Sequence, residues 1–333
     1  MTAQYRIFGA ELSPYSVKVR SYFRYKQIPH EWVVRDANTQ DEFQKYAKLP
    51  LIPLVVTPEG AGMQDSTPII EKMEEKVPDP LIHPEDPVLD FLSALLEEYA
   101  DEWGNKHMFH YRWAYEPDQI QTARLIAEMQ APDGDEETVK KVADFVRERM
   151  TGRRFFVGSS PETAPLIEAS FKEAADLMET HLEGRNYVMG GRPAFADFGL
   201  YAQFYEISTD PTAGAYLKKN CPNIMGWTER MLAGRKAEGA FEDWDSLKPT
   251  LLPFLKEEVG GRFLPWSVAN AEALDQGKES FTVELKGQDF TQQPQKYHAR
   301  SLGVLRKRYA ETGAKDRLNP ALEAADCLPY LKS

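Results

Sequence analysis

Apolar positions in the first part of the chain keep changing period. Tyr5–Phe8 reads as a strand running into Gly9, and Ser16–Tyr25 carries apolar residues at helical spacing, among them Val17, Tyr22 and Phe23. His30–Val34 is strand-like again, and Glu42–Lys48 forms a helical turn. Leu51–Thr57 is a β-rich run interrupted by Pro53. Pro58-Glu59-Gly60 is turn chemistry, so Gly62–Gln64 can return as the second strand of a hairpin. Pro68–Lys76 closes the segment as a helix that Thr67 can cap. The order β-α-β-α-β-β-α predicts an α/β domain over 1–80, with a small mixed sheet and helices on its faces.

Proline and acidic residues then cluster in Val77–Pro87, a linker signature. Beyond it the pattern turns helical. Leu89–Trp113 keeps Leu92, Leu95, Leu96, Tyr99 and Trp103 on one face of a long helix. Ile120–Met129, Glu136–Met150, Pro165–Leu182, Ala196–Ile207 and Cys221–Leu232 continue an all-α domain, placed at 88–255. The tail, 256–333, is a mixed extension. Glu279–Pro294 alternates apolar and polar residues around Lys286-Gly287, which predicts a hairpin, and Tyr297–Ala310 predicts a basic amphipathic helix.

Composition narrows the partners more than the fold. The 333 residues suffice for two domains, and a formal charge of −12 argues against a nucleic-acid surface. The basic clusters Arg147–Arg154 and Arg300–Arg308 are interrupted by acidic or apolar residues and read as solvated helix faces. No apolar stretch approaches the roughly 20 residues that span a bilayer. The N-terminus lacks a basic-then-apolar signal pattern, and two isolated cysteines, Cys221 and Cys327, form no disulfide framework. A cytoplasmic chain with no membrane partner is the expectation.

Three short stretches carry chemistry. In "GAELSPYS", Ser13-Pro14 reads as a helix cap followed by a proline at the first helical position, where its missing N–H costs nothing. The same helix N-terminus can serve as an anion site. Bringing a free thiol, pKa about 8.5, below 7 takes roughly 2 kcal/mol of anion stabilisation. A helix dipole supplies about 0.3–1 kcal/mol and a charge-assisted hydrogen bond about 1.5–3. The dipole alone falls short; the dipole with the Ser13 hydroxyl suffices. In "LIPLVV", Pro53 sits where a buried strand would reject it, unless a trans proline lies at a sheet edge or a cis Ile52–Pro53 bond resolves the conflict. A cis bond would turn the Ile52 backbone toward a ligand. In "MQDSTPII", Asp65 and Ser66 precede a helix and offer complementary partners for an ammonium and a carboxylate, or simply an Asx-type turn.

In this order the stretches resemble the glutathione S-transferase superfamily. The resemblance implies a thioredoxin-like N-terminal domain, an all-α glutathione-transferase domain after it, and a C-terminal extension beyond the usual family length. "SPYS" is similar to the Ser-Pro-aromatic stretch of serine-type members, or to the Cys-Pro-Phe-Ala stretch of omega-type members with Ser replacing Cys. It implies Ser13 as the thiol-activating residue. Tyrosine-type members use the end of the first strand, where this chain has Phe8. Pro53 then matches the cis-proline, with Ile52 as backbone partner of the glutathione cysteinyl group. Asp65 and Ser66 match the Glu/Gln-Ser pair that holds the γ-glutamyl end, with Asp one methylene shorter. "GGRPAFADFGLY" is similar to the family's helix-capping segment, but Ala194 stands where Ser or Thr is usual, leaving only Asp197 of the capping box.

The implied chemistry is attack of a glutathione thiolate on a small-molecule electrophile: conjugation, dehalogenation or ether cleavage. Ser13 would be a thiolate donor, since no general base is evident for it. Family habit implies a homodimer. Tyr15 beside Ser13, and Tyr99, Trp103, Lys106, His107 and His110 on the first long helix, are the expected wall of the electrophile pocket; interdomain packing is the competing use of those residues. His107 and His110 lack a convincing third metal ligand, so no metal is expected. A binding or regulatory module without catalysis is the alternative from another class, with the basic helix as a partner surface.

Overall fold

The computed structural model describes residues 4–235, 237 and 239–332. The first domain consists of β1 (Tyr5–Gly9), α1 (Pro14–Tyr25), β2 (His30–Val34), α2 (Gln40–Tyr46), β3 (Leu54–Val56), β4 (Gly62–Gln64) and α3 (Ser66–Lys76). The sheet order is β2-β1-β3-β4. β1 runs parallel to β2, with Ile7 opposite Trp32, and antiparallel to β3, with Ile7 opposite Val55. β4 returns antiparallel to β3, with Val55 opposite Met63. Alternation along β1 fills two cores. Ile7 packs in the main core with α1 and α3, whereas Phe8 faces Phe43 of α2 in a smaller cluster. This is the thioredoxin-like domain the sequence predicted.

The helical part runs α4 (Pro87–Tyr99), a π-helical turn Ala100–Gly104, α5 (Asn105–Ala114), α6 (Glu116–Gln130), α7 (Glu136–Thr151), a 3₁₀ turn Arg154–Val157, α8 (Ala164–His181), α9 (Phe195–Thr209), α10 (Pro211–Asn220) and α11 (Pro222–Ala233). α9 is the central helix, buried on nearly every side against α1 and α4. Its N-terminus lacks a hydroxyl cap, as Ala194 requires. Asp197 compensates: its carboxylate accepts from the N–H groups of Ala194 (2.8 Å) and Val188 (2.9 Å) and from the Trp227 indole (2.9 Å).

α12 (Trp244–Phe254), a π-helical stretch Leu255–Phe263 and α13 (Leu264–Asp275) follow as one uninterrupted helical rod. The boundary expected at 255/256 falls inside that rod. The extension continues as β5 (Phe281–Leu285), β6 (Gln288–Gln292), α14 (Lys296–Glu311), α15 (Lys315–Ala324) and α16 (Leu328–Leu331). The hairpin turns at Lys286 (φ 52°) and Gly287 (φ 77°), the left-handed pair a two-residue loop needs. Phe290 of this hairpin meets Trp103, ring centroids 5.5 Å apart, and lies where a Cβ on Gly158 (φ 71°) would be. The extension therefore shares the main core with the helices.

Candidate active site

Ser13 caps α1. Its backbone is extended (φ −112°, ψ 112°) and its Oγ accepts from the Ser16 N–H at 3.3 Å. Among the described residues the hydroxyl donates to nothing, so its proton is free for a ligand. No acidic residue stands in the first turn of α1 to oppose an anion there. The loop is pinned from the helical domain. Arg112 donates from Nη1 to the Leu12 carbonyl at 3.0 Å, while its other nitrogens bind Glu206 and Asp210. Tyr15 donates to the Asp101 carbonyl at 3.0 Å. Tyr15 is thus a tie between the domains.

The Ile52–Pro53 bond is cis. Among the described residues neither the N–H nor the C=O of Ile52 has a hydrogen-bond partner. Gln64 braces this loop from β4: its side chain accepts from the Lys48 and Leu49 N–H groups and donates to the Leu49 and Leu51 carbonyls.

Asp65 and Ser66 lie at the start of α3, two residues earlier than a Thr67 cap would place it. Asp65 itself is the N-cap, at φ 77°, ψ 121°, a conformation non-glycine residues rarely adopt. Thr67 is drawn elsewhere, donating to Glu97 Oε1 at 2.6 Å and accepting from Lys18 Nζ at 3.0 Å. Lys18, fully buried on α1, is the cation of this corner. It pairs with Glu97 and with Asp101 (2.6 Å to Asp101), and reaches Ser66 Oγ at 3.4 Å. Burial favours its neutral amine, but Asp101 and Glu97 outweigh burial and hold it protonated. Burial pushes the Asp101 carboxyl up to about 6 despite Lys18, and raises Asp65 as well. Asp101 Oδ1 is buried with no partner, leaving room for one more donor. Sequence reasoning missed Lys18, although a lysine one turn before Tyr22 on an apolar stripe was a visible signal.

The extension closes this corner. Tyr297, at the start of α14, donates to Asp65 Oδ1 at 3.0 Å, and His298 binds Glu102. Further along α14, Arg308 pairs with Glu71 of α3. Ser66 is only 3% exposed. Asp65 and Ser66 are together, as expected, but already engaged by the protein's own groups.

The aromatic and polar face of the first long helix faces inward instead of lining a pocket. Trp103 Nε1 (2.9 Å) and His107 Nε2 (2.8 Å) both meet Ser170 Oγ of α8, which donates to Glu258 at 2.6 Å. Tyr99 donates to the same carboxylate at 2.8 Å, and Arg262 pairs with it. Burial drives His107 down to about 3 and Glu258 up to about 7. His110 is likewise buried, between Ser159 and Glu168. Of the expected pocket residues on this helix, only Lys106 lines the main cavity. Tyr99, Trp103 and His107 are covered because α8 and the rod 244–275 cross that face, which helix periodicity cannot report.

The cavity itself, of about 320 Å³, lies between α5, α7, the 154–157 turn and the start of α14. Phe109, Met150, Phe156 and Val157 form its apolar wall, and Gln295, Tyr297 and His298 close it from the extension. Tyr297 thus borders both the cavity and the Asp65 corner.

Residues 7–81 match the glutathione S-transferase N-terminal domain family. That segment is a domain of the glutathione S-transferase N-terminal type. Among solved structures, it is similar to a glutathione S-transferase from Methylobacterium radiotolerans in complex with glutathione sulfonate, at 18% identity over 72% of this chain and 98% of that one, with a TM-score of 0.40. The beta-etherase LigF from Sphingobium sp. strain SYK-6 is 17% identical over 69% of this chain and 95% of its own, with a TM-score of 0.45. FzlA from C. crescentus is 16% identical over 68% and 87%, with a TM-score of 0.44. No curated protein matches the chain. No helix among the described residues is long and apolar enough to cross a membrane.

Proposed function

We propose that this chain is a glutathione-dependent transferase in which Ser13 holds the glutathione sulfur as a thiolate for attack on a small-molecule electrophile. The observation that carries the reading is the free Ser13 hydroxyl at an unopposed helix N-terminus, in a domain that matches the glutathione S-transferase N-terminal family. Glutathione would lie with its cysteinyl backbone on Ile52 and its γ-glutamyl end at Asp65 and Ser66. The unpartnered Asp101 Oδ1 suits the ammonium of that end. The electrophile would occupy the cavity bordered by Tyr297, where fixed orientation substitutes for encounter in solution. Conjugation, dehalogenation and ether cleavage all begin with this attack. A cytoplasmic homodimer is the assembly and location that family resemblance implies, and sedimentation velocity tests the former.

Calorimetric titration with reduced glutathione, in two buffers of different ionisation enthalpy, tests the site. The wild type is expected to bind with proton release, and Ser13→Ala to bind without it. Proton release that survives Ser13→Ala removes Ser13 from the chemistry.

A second reading, a non-catalytic binding module, is favoured by one observation: Tyr297 and Lys18 already occupy Asp65 and Ser66. Absence of glutathione binding by the folded chain would select it.

A further inference from the structure

The cavity bordered by Tyr297 joins an apolar wall to a set of charged and polar side chains. Glu102 is matched by His298 and by Ser301, whose hydroxyl donates to it at 3.0 Å. Lys106 and Arg153 line the same cavity. Lys106 is 1% exposed and has no carboxylate partner among the described residues. Its ammonium sits 3.8 Å from the Trp266 ring centroid, 5.5 Å from Trp103 and 5.6 Å from Phe290. Its hydrogen bonds go to neutral oxygens, Gln292 Oε1 at 2.9 Å and the Val157 carbonyl at 3.4 Å. Aromatic faces stabilise a cation by about 0.5–2 kcal/mol each, well short of what burial of an ammonium costs without an anion, and burial accordingly pushes the Lys106 amine well below its ordinary pKa, so that an anion beside it would restore its charge. Arg153, half-buried at the cavity, makes no ion pair or side-chain hydrogen bond among the described residues. Two basic side chains without acid partners are unusual in a chain whose formal charge is −12. Most of its other buried arginines and lysines meet carboxylates.

We infer that this cavity takes an aromatic acid: a flat apolar body against Phe109, Met150 and Phe156, with its carboxylate directed to Arg153 and Lys106. The inference names the substrate class for the electrophile pocket and rests on that assignment of the cavity. At about 320 Å³ it stands at the lower end of small-molecule pockets, roughly 300–1,000 Å³, which limits the ligand to one or two rings. Arg offers the forked geometry a carboxylate accepts bidentately. The extension supplies the third wall, so this specificity depends on residues beyond the two usual domains.

Matched probes isolate the charge. The full-length chain is titrated calorimetrically with 1-naphthoate and with 1-naphthamide, which differ little in size. Naphthoate is expected to bind about tenfold more tightly than the amide. Arg153→Gln, at a half-buried position that tolerates a polar residue, is expected to bring the two within about threefold by weakening naphthoate alone. Lys106→Met is expected to act in the same direction if it folds; Arg153→Gln decides the matter if it does not. Equal affinities in the wild type, a preference unchanged by Arg153→Gln, or no binding of either probe would overturn the inference. Glutathione titrated in parallel separates the two proposals. Glutathione binding without the naphthoate preference sinks the aromatic-acid inference alone, and the converse sinks the transferase reading alone.

Discussion

At the residue scale, this protein concentrates charge in places where water is absent. Arg112 is the clearest case, because one guanidinium serves both the helical core and the Ser13 loop. It binds Glu206 and Asp210, both buried, and holds the Leu12 carbonyl next to the proposed thiolate site. Removing one partner of such a buried set leaves the others uncompensated, a cost of about 3–5 kcal/mol. Arg112→Met is therefore expected to lower the unfolding free energy measured in urea melts by that order, whereas a surface lysine substitution would scarcely move it. Glu258 makes a second prediction, with a sign opposite to ordinary acid denaturation. Its folded pKa, raised from 4.5 to about 7 chiefly by burial, exceeds its unfolded value. The folded state then binds the extra proton between those values. Its penalty is absent below pH 4.5, grows as pH rises, and is complete above 7, reaching about 3 kcal/mol. Glu258→Gln removes that titration. The stability of the variant relative to wild type should rise between pH 4.5 and 7.5 in denaturant melts at several pH values; a difference independent of pH would refute the assignment.

At the element scale, the decisive piece is α14. It begins at the site, with Tyr297 on Asp65, and its C-terminal half ties Arg308 to Glu71 on α3. A helix anchored at two points of the first domain can set how freely glutathione enters. Tyr297 is 50% exposed, so its hydrogen bond to Asp65 is worth less than a buried charge-assisted one. Tyr297→Phe should tighten glutathione binding a few-fold by releasing Asp65. Weaker binding by the variant would instead make the Tyr297 hydroxyl part of the ligand's own cradle. The hairpin acts differently, as a wedge. Phe290 fills the space above Gly158, and the Gln292 side chain links Lys106, Trp266 and the Phe156 carbonyl. These contacts make β5–β6 part of the cavity wall's support.

At the scale of the whole molecule, the extension is not an appendage. Phe281, Leu285, Phe290, Leu305, Leu318 and Leu322 belong to the same core cluster as α4 and α9. A chain ending at residue 275 would uncover Trp103, Trp266 and the Lys106 ammonium at once. Followed by near-ultraviolet circular dichroism, it is expected to lack the cooperative thermal transition expected of the full chain; a sharp melt near the full-length value would show the extension to be dispensable. What could be read without coordinates was local. Period changes along 5–76, the Ser13-Pro14 and Pro53 signals, the Asp65-Ser66 pair and the Lys286-Gly287 turn each depend on neighbours a few residues away, and the elements there begin and end within about three residues of where their patterns put them. The Thr67 cap was misplaced because Glu97 and Lys18, distant in sequence, claim its hydroxyl. The aromatic face of the first long helix was given to a ligand for the same reason. Spacing shows that Tyr99, Trp103 and His107 share a side, but not that Ser170 and Glu258 cover it. Likewise the break at 255/256 vanished into a continuous rod. Backbone preferences and apolar periodicity are properties of short segments. Which side chain meets a ligand, and which meets a buried carboxylate, depends on the packing of segments far apart in the chain.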